Sequence, residues 1–359
     1  MTLFALGLVL LLLLFLQSYG FKKLWDKGFY YRVQFSAKEA FEGDKLFLKE
    51  ELVNQKILPL PWIFVNLQLS SHLAFINSPG DLYALASYRG LQRKKAFVCA
   101  KRGVYSLRDT TVKVSNFLHT SEYSKNFFQQ GELVVFPKLL DDCDEMDLLY
   151  RQIDAVVLSN QLINPDPFEF RGLREYQPTD PLRNVNFKAT AVAQQMMVNI
   201  HAPTAAKKLI LVLNLEDMNA SANLHEQSIR LCATLAQHFI NQNAGVGFYS
   251  NGRSLIAGQQ TKKSSSLYIS NSAGQLYNIY ECLACLSPGV QCTPMVEFIE
   301  KIENNEQVYI FISSHYDVVF QKSFQSLNDR GIESFLIVPS SEPIDLLEAS
   351  NIVIWKAVG

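Results

Sequence analysis

Residues 209–221 read LILVLNLEDMNAS, and the fold of the C-terminal half turns on them. The run from Leu209 to Leu213 is apolar without interruption, the pattern of a strand covered on both faces. A half-exposed strand would alternate instead. Asn214, Glu216 and Asp217 follow at once, so the strand ends in a polar loop. Downstream, HEQSIRLCATLAQHFINQ (225–242) turns Ile229, Leu231, Leu235, Phe239 and Ile240 toward a core at helical spacing. VGFYSN (246–251) reads as a strand, followed by a Ser/Lys-rich turn and helices near 275–286 and 294–302. VYIFIS (308–313), a helix near 317–329, SFLIVP (334–339) and NIVIWKA (351–357) complete the series. Strands alternating with helices predict an α/β open sheet with helices on both faces over residues 207–359.

Residues 30–138 read differently. YRVQFS, DKLFLKEELVN, WIFVNLQLSS, DLYALASY, KAFVCAK and GELVVFP are short runs rich in β-branched and aromatic residues. Glu42-Gly43-Asp44, Asn77-Ser78-Pro79-Gly80 and Lys101-Arg102-Gly103 supply turns between them. Such spacing predicts a β-sandwich-like domain. Pro59 and Pro61 precede a strand, and proline cannot donate to a ladder, so ILPLPWIFV (57–65) should lead into a strand or lie at an edge. Residues 139–206 form a junction. Its acidic run, Asp141 to Asp147, lacks the glycine and distal glutamate of a calcium loop and is expected to be a solvated loop.

Residues 1–21 carry no charged side chain, and roughly 20 apolar residues suffice to cross a bilayer. Lys22, Lys23, Lys27 and Arg32 follow, with Trp25, Tyr30 and Tyr31 at interfacial height. This predicts an N-terminal transmembrane helix, a single pass through the cell membrane and a cytoplasmic bulk. A cleaved secretory signal would begin with a basic segment, which only the α-amine supplies here. The formal net charge of −1 offers no general field for nucleic acid. The six cysteines have no framework spacing, and Cys282 and Cys285 fall on an amphipathic helix, so buried free thiols are expected. No phosphate loop, dinucleotide fingerprint or nucleophile elbow is present, and the six histidines are dispersed.

Residues 166–191, DPFEFRGLREYQPTDPLRNVNFKATA, fit neither a helical stripe nor a strand alternation. Guanidinium forks hold carboxylates in bidentate pairs. Arg174 and Arg183 are therefore expected to pair with Glu175, Asp180 or an adjoining carboxylate. The result would be a structural clasp or, alternatively, a binding surface. The stretch resembles the signature of the domain of unknown function 58 family, Gly-x-x-Glu-Tyr-x-Pro-Gly-Asp-x-x-Arg-x-Ile-x-Trp-Lys. Gly172, Arg174, Glu175, Tyr176, Pro178, Asp180, Arg183 and Phe187 lie in it, while Thr179 stands where glycine is usual and Phe187 where tryptophan is. Asn54 with Leu58 to Trp62 resembles a second family segment, an asparagine followed by Leu-Pro-Leu-Pro-Trp.

The resemblance implies that residues 207–359 are a von Willebrand factor A-like domain. In such domains the first strand ends in Asp-x-Ser-x-Ser, whose oxygens hold Mg²⁺ with a later Thr and Asp. The matching positions here are Asn214, Glu216 and Met218, with Ser313, Ser314 and Asp317 after a later strand. Magnesium takes hard oxygen ligands and a thioether is a poor one. The implied site is therefore degenerate, with no metal and no cofactor, and its polar groups are expected to cap the next helix and satisfy loop backbone. The implied function is a membrane-tethered, non-enzymatic scaffold or adaptor that presents the α/β domain to a protein partner. The family further implies a MoxR-type AAA+ ATPase as that partner. The alternative is a metal-assisted hydrolase using Glu216, Asp217 and Asp317, or a metal-dependent adhesion module.

Overall fold

The computed structural model describes residues 15, 18–67, 69, 72–75, 82–107, 109–117, 119–141, 144–163, 165–178, 180–203, 208–216, 222–256, 259–270, 272–287, 292–303, 307–340 and 351–356. The chain divides into two compact units, Met1–Lys138 and Leu139–Gly359.

The first unit carries β1 (Phe29–Phe35), β2 (Glu39–Phe41), β3 (Lys45–Asn54), β4 (Leu60–Asn66), β5 (Leu73–Phe75) and β6 (Leu82–Leu85). It continues with β7 (Gly90–Cys99), β8 (Gly103–Ser106), β9 (Thr110–Ser115), β10 (Glu122–Phe127) and β11 (Glu132–Phe136). Three sheets result, in the orders β1-β3-β7-β5, β10-β9-β4-β6 and β2-β11-β8. Period-two alternation drives the packing: Leu48 and Leu52 of β3, Ile63 and Val65 of β4, Phe97 of β7 and Val112 and Val114 of β9 are fully buried in one core. Pro61, lacking an amide hydrogen, falls where the β4 register shifts between Leu60 and Ile63.

The transmembrane expectation is corrected. Among the described residues no helix is long and apolar enough to cross a membrane; residues 1–14, 16 and 17 lie outside them. The flank that suggested a membrane boundary does other work. Phe21, Trp25 and Tyr31 are buried in the sandwich core, and Trp25 stacks on Tyr123 at 6.3 Å between centroids. An aromatic cluster beside lysines marks a bilayer boundary only when its rings are free to reach one.

The second unit begins with α1 (Asp144–Ile163) and β12 (Pro165–Glu175). α2 (Phe187–Ala193), β13 (Met197–Pro203), β14 (Lys208–Asn214), α3 (Ala222–Asn241), β15 (Gly245–Ile256) and β16 (Gln259–Ser270) follow. α4 (Ala273–Cys285), β17 (Leu286–Ser287), α5 (Met295–Glu300), β18 (Val308–Ser313), α6 (Val318–Asp329), β19 (Ser334–Ser340) and β20 (Ile352–Lys356) complete it. Its large sheet runs β16-β15-β14-β18-β19-β20, with β17 also on β15. β14, β15, β18, β19 and β20 pair in parallel, while β16 and β17 are antiparallel to β15. Phe320, Phe324 and Leu327 make the apolar stripe of α6 and pack with Phe311 and Val338 of the sheet. β12 and β13 form a separate antiparallel pair.

Three local expectations are corrected. The Ser/Lys-rich turn is β16, an arm that acquires strand structure by pairing with β15. The acidic run from Asp144 onward is helical, because Met146, Leu149, Tyr150 and Ile153 form a buried stripe along α1 that its carboxylates obscure. Residues 166–191 contain most of β12, a 3₁₀ turn at Leu182–Asn184 and the start of α2.

Candidate functional site

The carboxyl ends of β14 and β18 meet in register, Asn214 opposite Ser313. Asn214 Nδ2 donates to Ser313 Oγ at 3.0 Å. Its Oδ1 accepts from Asn251 Nδ2 at 2.7 Å and from the Glu216 amide at 3.1 Å. Asn251, from β15, also donates to the Thr293 carbonyl at 3.1 Å and accepts the Leu215 amide at 2.9 Å. Ser313 Oγ donates to the His315 carbonyl at 2.5 Å. Glu216 Oε2 accepts the Met295 amide at 3.0 Å, tying the first residue of α5 to this end of the sheet. Asn214, Asn251 and Ser313 are buried, and their polar atoms are directed at one another.

This donor set does not fit a hard divalent cation. Asn214 Oδ1 already accepts two hydrogen bonds, Ser313 is neutral, and the Glu216 carboxylate is drawn to a helix amide. Magnesium needs near-octahedral oxygen ligands, usually including one or two carboxylates. Among the described residues no group of three or more His, Cys, Asp or Glu side chains comes together to hold a metal. Asp317 is turned away to cap α6, accepting the Phe320 amide at 2.8 Å, with His315 Nε2 at 3.6 Å. Asp217 and Met218 lie outside the described residues. The sequence did not single out Asn251, whose contacts exist only once β15 lies beside β14.

The signature residues are placed in and after β12. Arg174 makes a bidentate pair with Asp180, Nη1 to Oδ2 and Nη2 to Oδ1, both at 2.6 Å. Arg174 also donates to the Glu175 carbonyl at 3.1 Å, and Asp180 Oδ2 accepts the Gln177 amide at 2.8 Å. The guanidinium hydrogen bond, followed by the Gln177 amide, holds the Asp180 carboxyl below its ordinary range. Glu175 accepts from Gln195 Nε2 at 3.0 Å, and the Tyr176 amide bonds the Met196 carbonyl at 2.8 Å. The expectation for Arg183 is corrected: it is exposed on the 3₁₀ turn, with no carboxylate partner among the described residues. Gly172 has open space where a Cβ would stand, and Pro178 and Phe187 are exposed. The clasp is a surface device.

A charged cluster in the first unit was not anticipated. Glu50 is buried inside the sandwich with Lys95 Nζ at 3.1 Å. The Tyr83 and Tyr31 hydroxyls donate to its two oxygens at 2.6 and 3.3 Å. The Arg93 guanidinium lies over the Tyr83 ring, 5.2 Å from its centroid. Burial, then the hydrogen bond and charge of Glu50, push the Tyr83 phenol up. Strand parity carried the signal: Leu48, Glu50 and Leu52 share one face of β3, and Lys95, Phe97 and Cys99 share one face of β7. Cys99 and Cys232 are buried free thiols, the former pushed up to about 11 and the latter further by burial. Neither is poised as a nucleophile.

No protein-family model and no curated protein matches the chain. Among solved structures, the cupredoxin domain of amoB from Nitrosocaldus yellowstonii is 14% identical, with 32% of this chain covering 95% of that one at a TM-score of 0.20. A CARDB domain from Pyrococcus furiosus is 10% identical, covering 30% and 94% at 0.23. A non-cellulosomal cohesin from Archaeoglobus fulgidus is 9% identical, covering 34% and 96% at 0.19. All three are β-sandwich domains. The fold class is corrected on the chain's own elements: a β-sandwich first unit, no transmembrane helix among the described residues, and a second unit defined by its own mixed sheet. Scores this low carry no argument about fold or function.

Proposed function

We propose that the chain is a non-enzymatic adaptor whose second unit receives a protein partner at the carboxyl ends of β14 and β18. One observation carries this reading. Val318 and Val319, 66% and 60% exposed, open α6 directly after the Ser313–Asp317 segment, in which Ser313 Oγ and the Asp317 carboxylate are already engaged. Exposed Thr293 and Pro294 border the same network. Chemistry at a strand end needs carboxylates or hydroxyls free to act; here Asp317 caps α6, Glu216 accepts the Met295 amide, Ser313 bonds Asn214, and the Ser314 hydroxyl, which has no partner among the described residues, is buried. An apolar pair rimmed by polar groups is the composition of a protein contact. The resemblance of residues 172–188 to the family signature makes a MoxR-type AAA+ ATPase the first partner to test.

Calorimetric titration of the full chain with such an ATPase tests the proposal. Saturable binding that the Val318→Asp/Val319→Asp variant loses supports it, since charging a contact core costs several-fold in affinity. Binding undiminished in that variant, or no binding to this or any other protein candidate, counts against it.

A further inference from the structure

The solvent face of the sheet β1-β3-β7 carries an ordered array of polar side chains. Cross-strand register places Arg32, Glu51 and Gln92 in one row and Gln34, Lys49 and Lys94 in the next. Glu51 is occupied by Gln92, whose Nε2 donates at 3.0 Å. With its amide turned to hydrogen-bond, Gln34 accepts from Arg32 Nη2 at 2.8 Å and Nε at 3.1 Å. Lys49 and Lys94 are both exposed, stand directly opposite each other, and have no carboxylate partner among the described residues. Like charges directly opposite in a sheet repel and destabilise it. Both rows line an open cavity of about 440 Å³. A second cavity of about 390 Å³ shares Arg32 and Glu51 with it and continues to Tyr30 and Phe128, which are 57% and 75% exposed.

We propose that this face binds an extended acidic segment of a partner protein. The segment carries two carboxylates two residues apart and an aromatic or large apolar residue two positions beyond them. The spacing follows from the sheet: successive rows lie about 6.6–6.8 Å apart along the strands, the same repeat at which alternate side chains leave an extended peptide. One carboxylate meets Arg32, the other lies between Lys49 and Lys94 and converts their repulsion into attraction, and the apolar residue meets Tyr30 and Phe128. The segment lies on the face and does not add to the edge. The free edge of β1 is closed by the buried Gln129, whose Oε1 accepts the Val33 amide at 2.9 Å and whose Nε2 donates to the Tyr31 carbonyl at 3.4 Å. A nucleic acid strand is the poorer fit, because it would carry its phosphates past Glu51 and the chain's net charge of −1 gives it no general attraction.

The test uses the full chain and a labelled peptide, Phe-Ser-Asp-Ser-Asp, followed by fluorescence anisotropy in about 50 and 150 mM salt. Saturable binding is expected, weakened about tenfold or more by Lys49→Gln/Lys94→Gln and by replacing both aspartates of the peptide with asparagine. The double variant should melt no lower than the native chain, which separates loss of binding from loss of fold. Absence of saturable binding, undiminished binding by either altered partner, or tighter binding of a single-stranded RNA pentamer would overturn the proposal.

Discussion

Each unit buries a polar knot, and the two are built from opposite materials. In the sandwich, Glu50 and Lys95 bring formal charges into an apolar core and are held by two tyrosines. At the ends of β14 and β18, Asn214, Asn251 and Ser313 make a knot of neutral groups. A buried charge depends on its counter-charge, because removing either partner strands an ion in low dielectric. A neutral amide knot loses hydrogen bonds one at a time, and each loss costs the desolvation of a single group. The first arrangement constrains its core more harshly; the second closes a strand-end site without leaving charge for a ligand.

The largest expected effect breaks the charged knot. Lys95→Met leaves Glu50 buried without its counter-ion and should destabilise the first unit by about 3–5 kcal/mol, measured by urea unfolding. Glu50→Leu/Lys95→Met should recover most of that loss, since apolar replacement of a whole buried pair is often near neutral. A double variant as unstable as the single one would show that the tyrosines, rather than the ion pair, hold the site. In the neutral knot, Asn214→Ala strips partners from the Glu216 amide, Asn251 and Ser313, and about 1–3 kcal/mol is expected. A loss as large as that of Lys95→Met would erase the distinction drawn between the two regions.

The two knots were unequally legible. Glu50 could be read from parity alone, lying between Leu48 and Leu52 on one face of β3. A charged residue in a strand is ordinarily solvated, and Glu50 departs from that rule. Asn214 is marked by the family resemblance, at the end of an apolar strand, whereas Asn251 is not, because its partners come from β14 and the segment before α5. LILVLNL announces β14 since both of its faces are covered. QQTKKSSSLYIS has no such apolar pattern, and its strand structure exists through pairing with β15. In α1 the apolar stripe was present but submerged among carboxylates. Arg183 and Arg174 look alike in the sequence, and only the turn after β12 decides which of them reaches Asp180.

The exposed clasp sharpens the comparison from outside both cores. Asp180 is depressed by Arg174, so its contribution to stability is present above the unfolded aspartate value of about 3.9 and fades as pH falls through the lower folded value. The melting temperatures of the native chain and Asp180→Asn should therefore converge on acidification below about pH 4. Arg174 faces solvent and the Asp180 side chain is 11% exposed in a pair at the surface, so the effect should be small at neutral pH. Amide exchange at Gln177 is the more sensitive measure, and it should quicken in Arg174→Ala. An Arg174→Ala variant whose Gln177 amide exchanges at the native rate would remove the clasp from the list of ordering contacts.

The smallest expected effect concerns magnesium at the neutral knot. A ligand that binds only the folded chain raises its stability by RT ln(1 + [L]/Kd), about 1.4 kcal/mol for 10 mM ion at a Kd of 1 mM. The native chain should show no such rise, because Asn214 offers one neutral oxygen already accepting two hydrogen bonds and Glu216 is engaged by the Met295 amide. Asn214→Asp supplies the missing anion while keeping the acceptor that Asn251 and the Glu216 amide require. It removes the donor to Ser313, freeing that hydroxyl to turn its oxygen outward. A magnesium-dependent rise in melting temperature confined to Asn214→Asp would show that the amide is what closes this strand end to a hard cation. A rise of the same size in the native chain would mean that the knot opens for an ion, and the contrast between a charged constraint and a neutral closure would fail.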